Sequence, residues 1–402
     1  MKYISLFSGI GGLESKDTDP LILCEKEPSC IKYLDQEYKS SEIIDDIHTL
    51  TKKNYKLPKV DLITGGWPCQ DISVAGEKKG FNGDHSVLFY ELIKVAKKSK
   101  AELIIAENVP NILNLSNGEV FSSVLKEFES SGYPFISWRT INSREFNLPH
   151  QRRRIFIFAS KSKQYAKNLF NEINIRLKKR LVNKNVYSFY HTAGTHSICY
   201  SKNFTPTLKV SGSGPAVFYD NVIRRLSPAE SLKLQGFKPS KFKKIPDSHI
   251  YAMTGNAVSK PIGEFLFKCI NKNMTEINTQ LTQSMDLLGD NFSATKRAYP
   301  SHGVSFKGEM KEVFIREKEL STNLADMIDF NSNDFLSDVA ITGLLRRAFK
   351  ARKMINESLL NTMAAHVSKE KIEAEIGINN LDKLYGNEIH NEVNEVEENL
   401  FN

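Results

Sequence analysis

An open α/β sheet, with a second, smaller domain and a C-terminal appendage of helical character, is the fold this sequence predicts. Three observations lead there. Short apolar runs recur through residues 1–160, at 3–7 (YISLF), 21–25 (LILCE), 60–64 (VDLIT), 102–107 (ELIIAE) and 154–160 (RIFIFAS). Charged segments with helical spacing, such as 86–99 and 119–130, separate some of these runs. A glycine-rich turn, Gly9-Ile10-Gly11-Gly12, follows the first run. Short unbroken apolar runs are what strands buried on both faces look like, and their alternation with helices implies parallel strands joined by crossovers. Ligands of such sheets bind outside the strands' carboxyl ends.

Residues 161–250 break this rhythm with basic stretches, aromatics (Tyr187, Phe189, Tyr190) and the turn-rich segment 211–215 (SGSGP), which marks a small second domain. Apolar helical sequence resumes at 251–272, after a turn at Gly255-Asn256, so the chain is expected to return there to the first domain. Residues 273–402 form the appendage. In it, Asp334 is placed to cap a helix carrying Leu336, Val339 and Leu344. Ile389, Val393, Val396 and Leu400 make a second helical stripe among glutamates.

Apolar residues make up 40% and charged residues 25% of the 402, and no stretch approaches the ~18 consecutive apolar residues of a membrane span. Strand-like sequence begins almost at Met1, which leaves no room for a secretory leader, and a cytoplasmic location is expected. The five cysteines are scattered without a C-x-x-C pair, and the nine histidines lack ligand spacing, so no metal is expected. The net charge of +8 is unevenly spread: residues 151–250 carry 20 Lys and Arg against 4 Asp and Glu, whereas 271–402 carry 15 against 21. A hundred-residue block that basic suits a polyanion bound through phosphate contacts and counterion release. Nucleic acid is the expected partner.

The chemistry concentrates at the predicted strand ends. Phe7 and the glycines Gly9, Gly11 and Gly12 make a tight turn that a nicotinamide, flavin or adenosyl cofactor could approach closely. Glu25, at the end of the second run, offers a carboxylate to ribose hydroxyls, which narrows the ligand to a nucleoside-bearing cofactor. The run 61–64 leads into Gly65-Gly66-Trp67-Pro68-Cys69-Gln70, placing a thiol at a carboxyl edge where a lowered pKa would make it a nucleophile. Glu107 ends the next run and can face the same pocket as a proton donor. Arg152, Arg153 and Arg154 open the last strand, with guanidinium forks suited to phosphates and to a base carbonyl.

Taken in order, FSGIGG (7–12), Glu25, Asp46-Ile47, GGWPCQDIS (65–73), ENV (107–109), the arginine strand at 152–154, RRLSPAESLKLQGF (224–237) and GNAV (255–258) resemble the motif series of the cytosine-carbon-5 DNA methyltransferases, the modification enzymes of bacterial restriction systems. The likeness covers roughly residues 1–270. It implies a Rossmann-like sheet that uses S-adenosylmethionine and a small target-recognition domain. By that resemblance Cys69 adds to carbon 6 of a flipped cytosine, Glu107 hydrogen-bonds ring nitrogen 3 and the amino group, and Arg154 meets the base carbonyl with Arg152 beside it. The cofactor would contact Phe7 and Gly9, Gly11 and Gly12, with Glu25 on the ribose and Asp46 and Ile47 beside the adenine. Pro68, Leu88, Asn256 and Ala257 would complete its site. Gln70, Ser73, His85 and Arg153 would touch DNA.

Three positions depart from the family's pattern. His150 stands where a glutamine usually opens the arginine strand, His85 where an arginine usually meets a phosphate, and Lys26 where some relatives place an aromatic over the adenine. None removes the nucleophile or the carboxyl, so they bear on affinity and not on reaction type. The resemblance also implies a monomer on DNA and a cognate restriction endonuclease as a genetic, non-physical partner. A tRNA cytosine-5 methyltransferase of the same family, a nicotinamide-dependent oxidoreductase and a silent DNA-binding regulator are the competing readings. The second leaves Pro68-Cys69-Gln70 without a purpose, and the third is at odds with an intact Cys69 and Glu107.

Overall fold

The computed structural model describes residues 1–68, 84–173, 181–190, 200–210, 214–271, 299–313, 315, 323–350, 357–367 and 371, with no side-chain description at 84–87, 200, 271, 347–350, 357, 358, 360 or 364. Cys69, Gln70 and Ser73 lie outside the described residues, as do the His85 side chain and the stripe from Ile389 to Leu400.

The strands of the large sheet are β1 (Tyr3–Leu6), β2 (Ile22–Cys24), β3 (Glu42–Ile44), β4 (Leu62–Gly66), β5 (Leu103–Asn108), β6 (Phe135–Asn142), β7 (Arg153–Ser160), β12 (His302–Phe306) and β13 (Glu309–Glu312). Their order is β13-β12-β6-β7-β5-β4-β1-β2-β3. The stretch from β3 to β5 is parallel, as the apolar runs predict. β7 corrects the expectation of an all-parallel set, because it runs antiparallel to both β5 and β6. Ile155 through Ala159 are fully buried, and a strand covered on both faces carries no trace of its direction in its hydrophobicity. β3 and β6 escape the sequence reading because the first is three half-exposed residues and the second mixes Ser137, Arg139 and Thr140 among its apolar side chains.

Helices α1 (Pro28–Glu37), α2 (Ile47–Thr51), α3 (Asp84–Lys98), α4 (Glu119–Ser130) and α5 (Lys163–Asn168) flank this sheet. α3 and α4 fall where the helical spacing places them. One apolar layer joins Ile4, Ile63 and Ile104 to Phe89, Leu92, Phe121 and Phe128 of α3 and α4. The opposite layer joins Tyr3, Leu62, Ile105 and Phe156 to Ile262, Leu266 and Phe267 of α8 (Lys260–Asn271), so the segment after the small sheet returns to the large one. No described helix is long and apolar enough to cross a membrane.

The small sheet has the order β11-β10-β8-β9, built from β8 (Tyr187–Phe189), β9 (Tyr200–Lys202), β10 (Ala216–Tyr219) and β11 (Val222–Arg225), all antiparallel. α6 (Pro228–Leu234) and α7 (Asp247–Asn256) follow it. α6 starts in a capping box, in which the Ser227 hydroxyl accepts from the Glu230 N–H at 3.2 Å and the Glu230 carboxylate accepts from the Ser227 N–H at 2.7 Å.

The C-terminal segment contributes more than the helices its sequence predicts. β12 pairs with β6 and covers that edge of the large sheet. Tyr299 packs edge-on to Phe121 and Trp138, whose indole N–H donates to the Pro300 carbonyl at 2.8 Å. Gly303 is required beneath that indole, since a Cβ there would lie 2.3 Å from the ring. Farther on, α9 (Asp338–Lys350) and α10 (Glu357–His366) pack Ile341, Leu344, Leu345, Leu359 and Met363 onto Phe189, Phe218 and Ile223 of the small sheet. The other face of that sheet is covered by Leu324, Ala325 and Ile328. The expected helix starts later than Asp334: Ser337 precedes it, and its hydroxyl accepts from the Ala340 N–H at 3.3 Å. Of the predicted stripe, Leu344 is buried on α9 and Leu336 is buried just ahead of the helix, while Val339 is 81% exposed.

Candidate active site

β1 and β4 are neighbours from which the chain proceeds in opposite directions across the sheet, and the cleft opens there, at their carboxyl ends. Its wall comprises Ser5 to Gly9, Gly12 to Glu14, Gly66, Glu107 and Asn256 to Val258. The turn after β1 is held from both sides. The Ser8 N–H donates to the Cys24 carbonyl (3.1 Å), and the Glu25 carboxylate accepts from the N–H groups of Gly9 (2.7 Å), Lys26 (2.9 Å) and Glu27 (2.9 Å). Phe7 sits at φ 54°, a left-handed conformation unusual outside glycine, and its ring packs against the core. A Cβ on Gly9 would meet nothing within 4 Å, so that face stays open, whereas one on Gly12 would lie 2.2 Å from the Val258 carbonyl. Gly12 therefore lets the chain after α7 close against the turn.

Of the other expected cofactor residues, Asn256 and Ala257 stand in this cleft's wall, and Asp46, Ile47, Pro68 and Leu88 are not among its lining residues. Asp46 caps α2, its carboxylate accepting from the His48 N–H at 2.9 Å, and Ile47 behind it is buried in the core. Pro68 is half-buried after the fully packed Trp67, and Leu88 is half-buried against the core. Asn256 is exposed on the wall, with Ala257 buried beside it.

Glu107 closes the cleft's far end. In the sheet register it stands beside Gly66, and a Cβ on Gly66 would lie 2.5 Å from the Glu107 carboxyl, which explains a glycine there. Arg154 Nε approaches Glu107 Oε1 at 3.1 Å. Burial pushes the Glu107 carboxyl above the ordinary carboxylate range, against the pull of Arg154 and Arg152. Asn108, next in line, donates from Nδ2 to the Trp67 carbonyl at 3.2 Å and so ties the chain that leads to Cys69 onto β5.

The three arginines have separate surroundings. Arg152 is buried and donates to the carbonyls of Leu208 (3.3 Å) and Gly255 (3.0 Å), which joins the start of β7 to the segments flanking the small sheet. His150, also buried, accepts at Nε2 from the Leu208 N–H (3.0 Å), and burial holds it neutral, well below the usual histidine range. Arg153 alternates to the face opposite Arg154, where it and Arg139 add to the burial that lowers His302 to about 4.

The sequence reading missed Glu14, Ser5 and Lys260. Glu14 is fully buried; one carboxyl oxygen accepts from the Ser5 hydroxyl at 2.5 Å and the other has no hydrogen-bond partner among the described residues. Lys260 donates to the carbonyl of Gly11 (2.8 Å) and to the Tyr38 hydroxyl (3.2 Å). A charged residue two positions after the last glycine of the turn was the available signal.

The family model for C-5 cytosine-specific DNA methylases matches residues 1–184 and 171–272. The chain belongs to that family. The methylase is 27% identical over 394 residues to the type II methyltransferase M2.BsuMI of Bacillus subtilis (strain 168), a match covering 90% of this chain and 97% of that one. Similarity over nine-tenths of the chain has to run well past residue 272, into the C-terminal segment. Two further relatives are the type II methyltransferases M.Bsp6I of Bacillus sp. (strain RFL6), 28% identical over 68% of this methylase and 99% of the relative, and M.FnuDI of Fusobacterium nucleatum, 28% identical over 69% and 96%. The methylase is accordingly a DNA cytosine-5 methyltransferase built on the Rossmann-like sheet of that class.

Proposed function

We propose that this enzyme transfers a methyl group from S-adenosylmethionine to carbon 5 of a flipped cytosine within a specific duplex DNA sequence, as the modification half of a type II restriction system. The observation that carries the reading is the Glu107–Arg154 pair, whose Glu107 is buried in the wall of a glycine-lined cleft. The cleft suits the cofactor: Gly9 leaves its face open, and Glu25 sits at the end of β2 where a ribose would lie. When bound, the cofactor supplies an electrophilic methyl on a sulfonium.

In this reading Phe7, Gly9, Gly11, Gly12, Glu25, Asp46, Ile47, Pro68, Leu88, Asn256 and Ala257 hold the cofactor. Cys69 adds as thiolate to carbon 6 of the base. Glu107, whose carboxyl burial raises against the pull of its arginine partners, donates in its protonated form to ring nitrogen 3 and keeps negative charge from accumulating on the ring. Arg154 keeps that carboxyl oriented and faces the base carbonyl. After methylation, loss of the carbon-5 proton and expulsion of the Cys69 sulfur restore the aromatic base. Arg152 and His150 act through the backbone they grip, and Gln70, Ser73 and His85 serve the DNA around the flipped base.

The test is incubation of the purified protein with labelled S-adenosylmethionine and plasmid DNA, followed by conversion sequencing. Methylcytosine confined to one short sequence is expected. Label in tRNA and none in duplex DNA would replace this reading with the tRNA one.

A further inference from the structure

Glu14 has no part in the mechanism above, yet it is a buried acid in the cofactor cleft's wall. Its surroundings commit only half of it. The Ser5 hydroxyl occupies one oxygen and the backbone N–H groups of Leu13 and Glu14 lie close to the carboxyl, but the other oxygen has no hydrogen-bond partner among the described residues. Lys260 lies near but spends its ammonium on the Gly11 carbonyl, the Tyr38 hydroxyl and, at 3.5 Å, the Glu14 backbone carbonyl, not on the carboxyl. An unmatched buried carboxyl oxygen is costly, and a ligand that completes it removes that cost.

The cleft's layout says which part of the ligand arrives there. With the adenine beside Asp46 and Ile47 and the ribose at Glu25, the nucleoside lies over the ends of β2 and β3. The methyl has to be delivered toward Glu107, at the end of β5. Between these ends, the amino-acid tail is left with the wall made by Gly9, Gly12, Glu14 and Asn256 to Val258. That tail carries an ammonium, the one group of the molecule that both donates several hydrogen bonds and bears the charge a lone carboxylate oxygen needs.

We propose that Glu14, oriented by Ser5, receives the α-ammonium of the cofactor's methionyl tail through its unpartnered oxygen. The proposal rests on the cofactor reading of the cleft. Burial raises the Glu14 carboxyl and Lys260 opposes it, so an arriving cation favours the ionised form in the same place.

The test compares two neutral-sulfur probes by isothermal titration calorimetry: S-adenosylhomocysteine and its deaminated analogue, in which hydrogen replaces the α-amino group. Wild-type protein is expected to prefer the first at least tenfold. Glu14→Gln, which keeps the oxygen that Ser5 serves, is expected to lose that tenfold for S-adenosylhomocysteine and to bind the deaminated probe as wild type does. Equal weakening for both probes would make Glu14 a structural residue and overturn the proposal. So would an absence of preference in the wild type, which needs no variant. If wild type binds neither probe, the cofactor reading itself falls, and this inference with it.

Discussion

Arg154 Nε stands 3.1 Å from Glu107 Oε1 across the antiparallel β5–β7 pair, one strand from the position where β4 delivers the chain to Cys69. The reversed direction of β7 produces this pairing. An antiparallel strand begins where its neighbour ends, so the arginines at the start of β7 meet the carboxyl at the end of β5.

The pair sets the pH dependence of turnover. Glu107 is needed protonated, and its carboxyl is raised by burial, so the rate should be full below that pKa and fall as pH climbs through it. Arg154→Gln removes a cation that favours the carboxylate, and the falling limb should move to higher pH, with a lower plateau. Single-turnover methylation across pH checks this; a limb that stays in place would show that another group titrates.

Glu107→Gln should cut single-turnover methylation by roughly 10²–10⁴-fold, the usual contribution of a positioned proton donor, while S-adenosylhomocysteine binds as before. Calorimetry alongside the rate measurement separates the two.

Cys69→Ala should abolish transfer and leave cofactor affinity intact. With 5-fluorocytosine at the target base, carbon 5 has no proton to lose, and wild-type protein should remain bonded to DNA through Cys69, visible as a shifted band under denaturing conditions. Turnover by Cys69→Ala would defeat the nucleophile assignment.

The C-terminal segment is anchored by charge as well as by apolar contact. Arg224 and Glu230 are fully buried and joined by two bonds of 2.9 and 2.7 Å, and both reach Asp329, whose carbonyl accepts from Arg224 (2.9 Å) and whose N–H donates to Glu230 (2.6 Å). Glu230→Ala leaves a buried guanidinium uncompensated and should cost about 3–5 kcal/mol in urea unfolding. Hydrogen exchange should rise first in residues 323–336.

Removing residues 280–402 should uncover the β6 edge and both faces of the small sheet, and the truncated protein should aggregate and lose DNA binding. Unchanged activity, solubility and oligomeric state on gel filtration would contradict the packing described above.

Much of this architecture was legible in the sequence because burial on both faces leaves an unmistakable apolar run: β1, β2, β4, β5 and β7 were all visible. What escaped depended on partners distant in the chain. The direction of β7 is set by pairing and not by composition. β12 lies far along the chain from β6, and the buried face of the small sheet is completed by residues more than a hundred positions downstream. At the site, Glu25, Asn256 and Glu107 were readable from motif position; Asn256 and Glu107 stand in one cleft's wall, and Glu25 accepts from Gly9 of that wall. Glu14 was not, since only its three-dimensional surroundings separate a buried, half-satisfied acid from a surface one. Arg153 read as a third arginine of one cluster, and strand alternation turns it to the other side.

The late arrival of β12 has a bearing on how the protein is made. Its partner β6 leaves the ribosome about 160 residues earlier, which at roughly 5–20 residues per second is a delay of about ten to thirty seconds. Throughout that interval the nascent chain presents a bare row of amides and carbonyls beside an exposed Trp138, a template for unwanted pairing between neighbouring polysomal chains. Slow translation or chaperone shortage should therefore penalise the yield of this enzyme before any folded molecule is challenged.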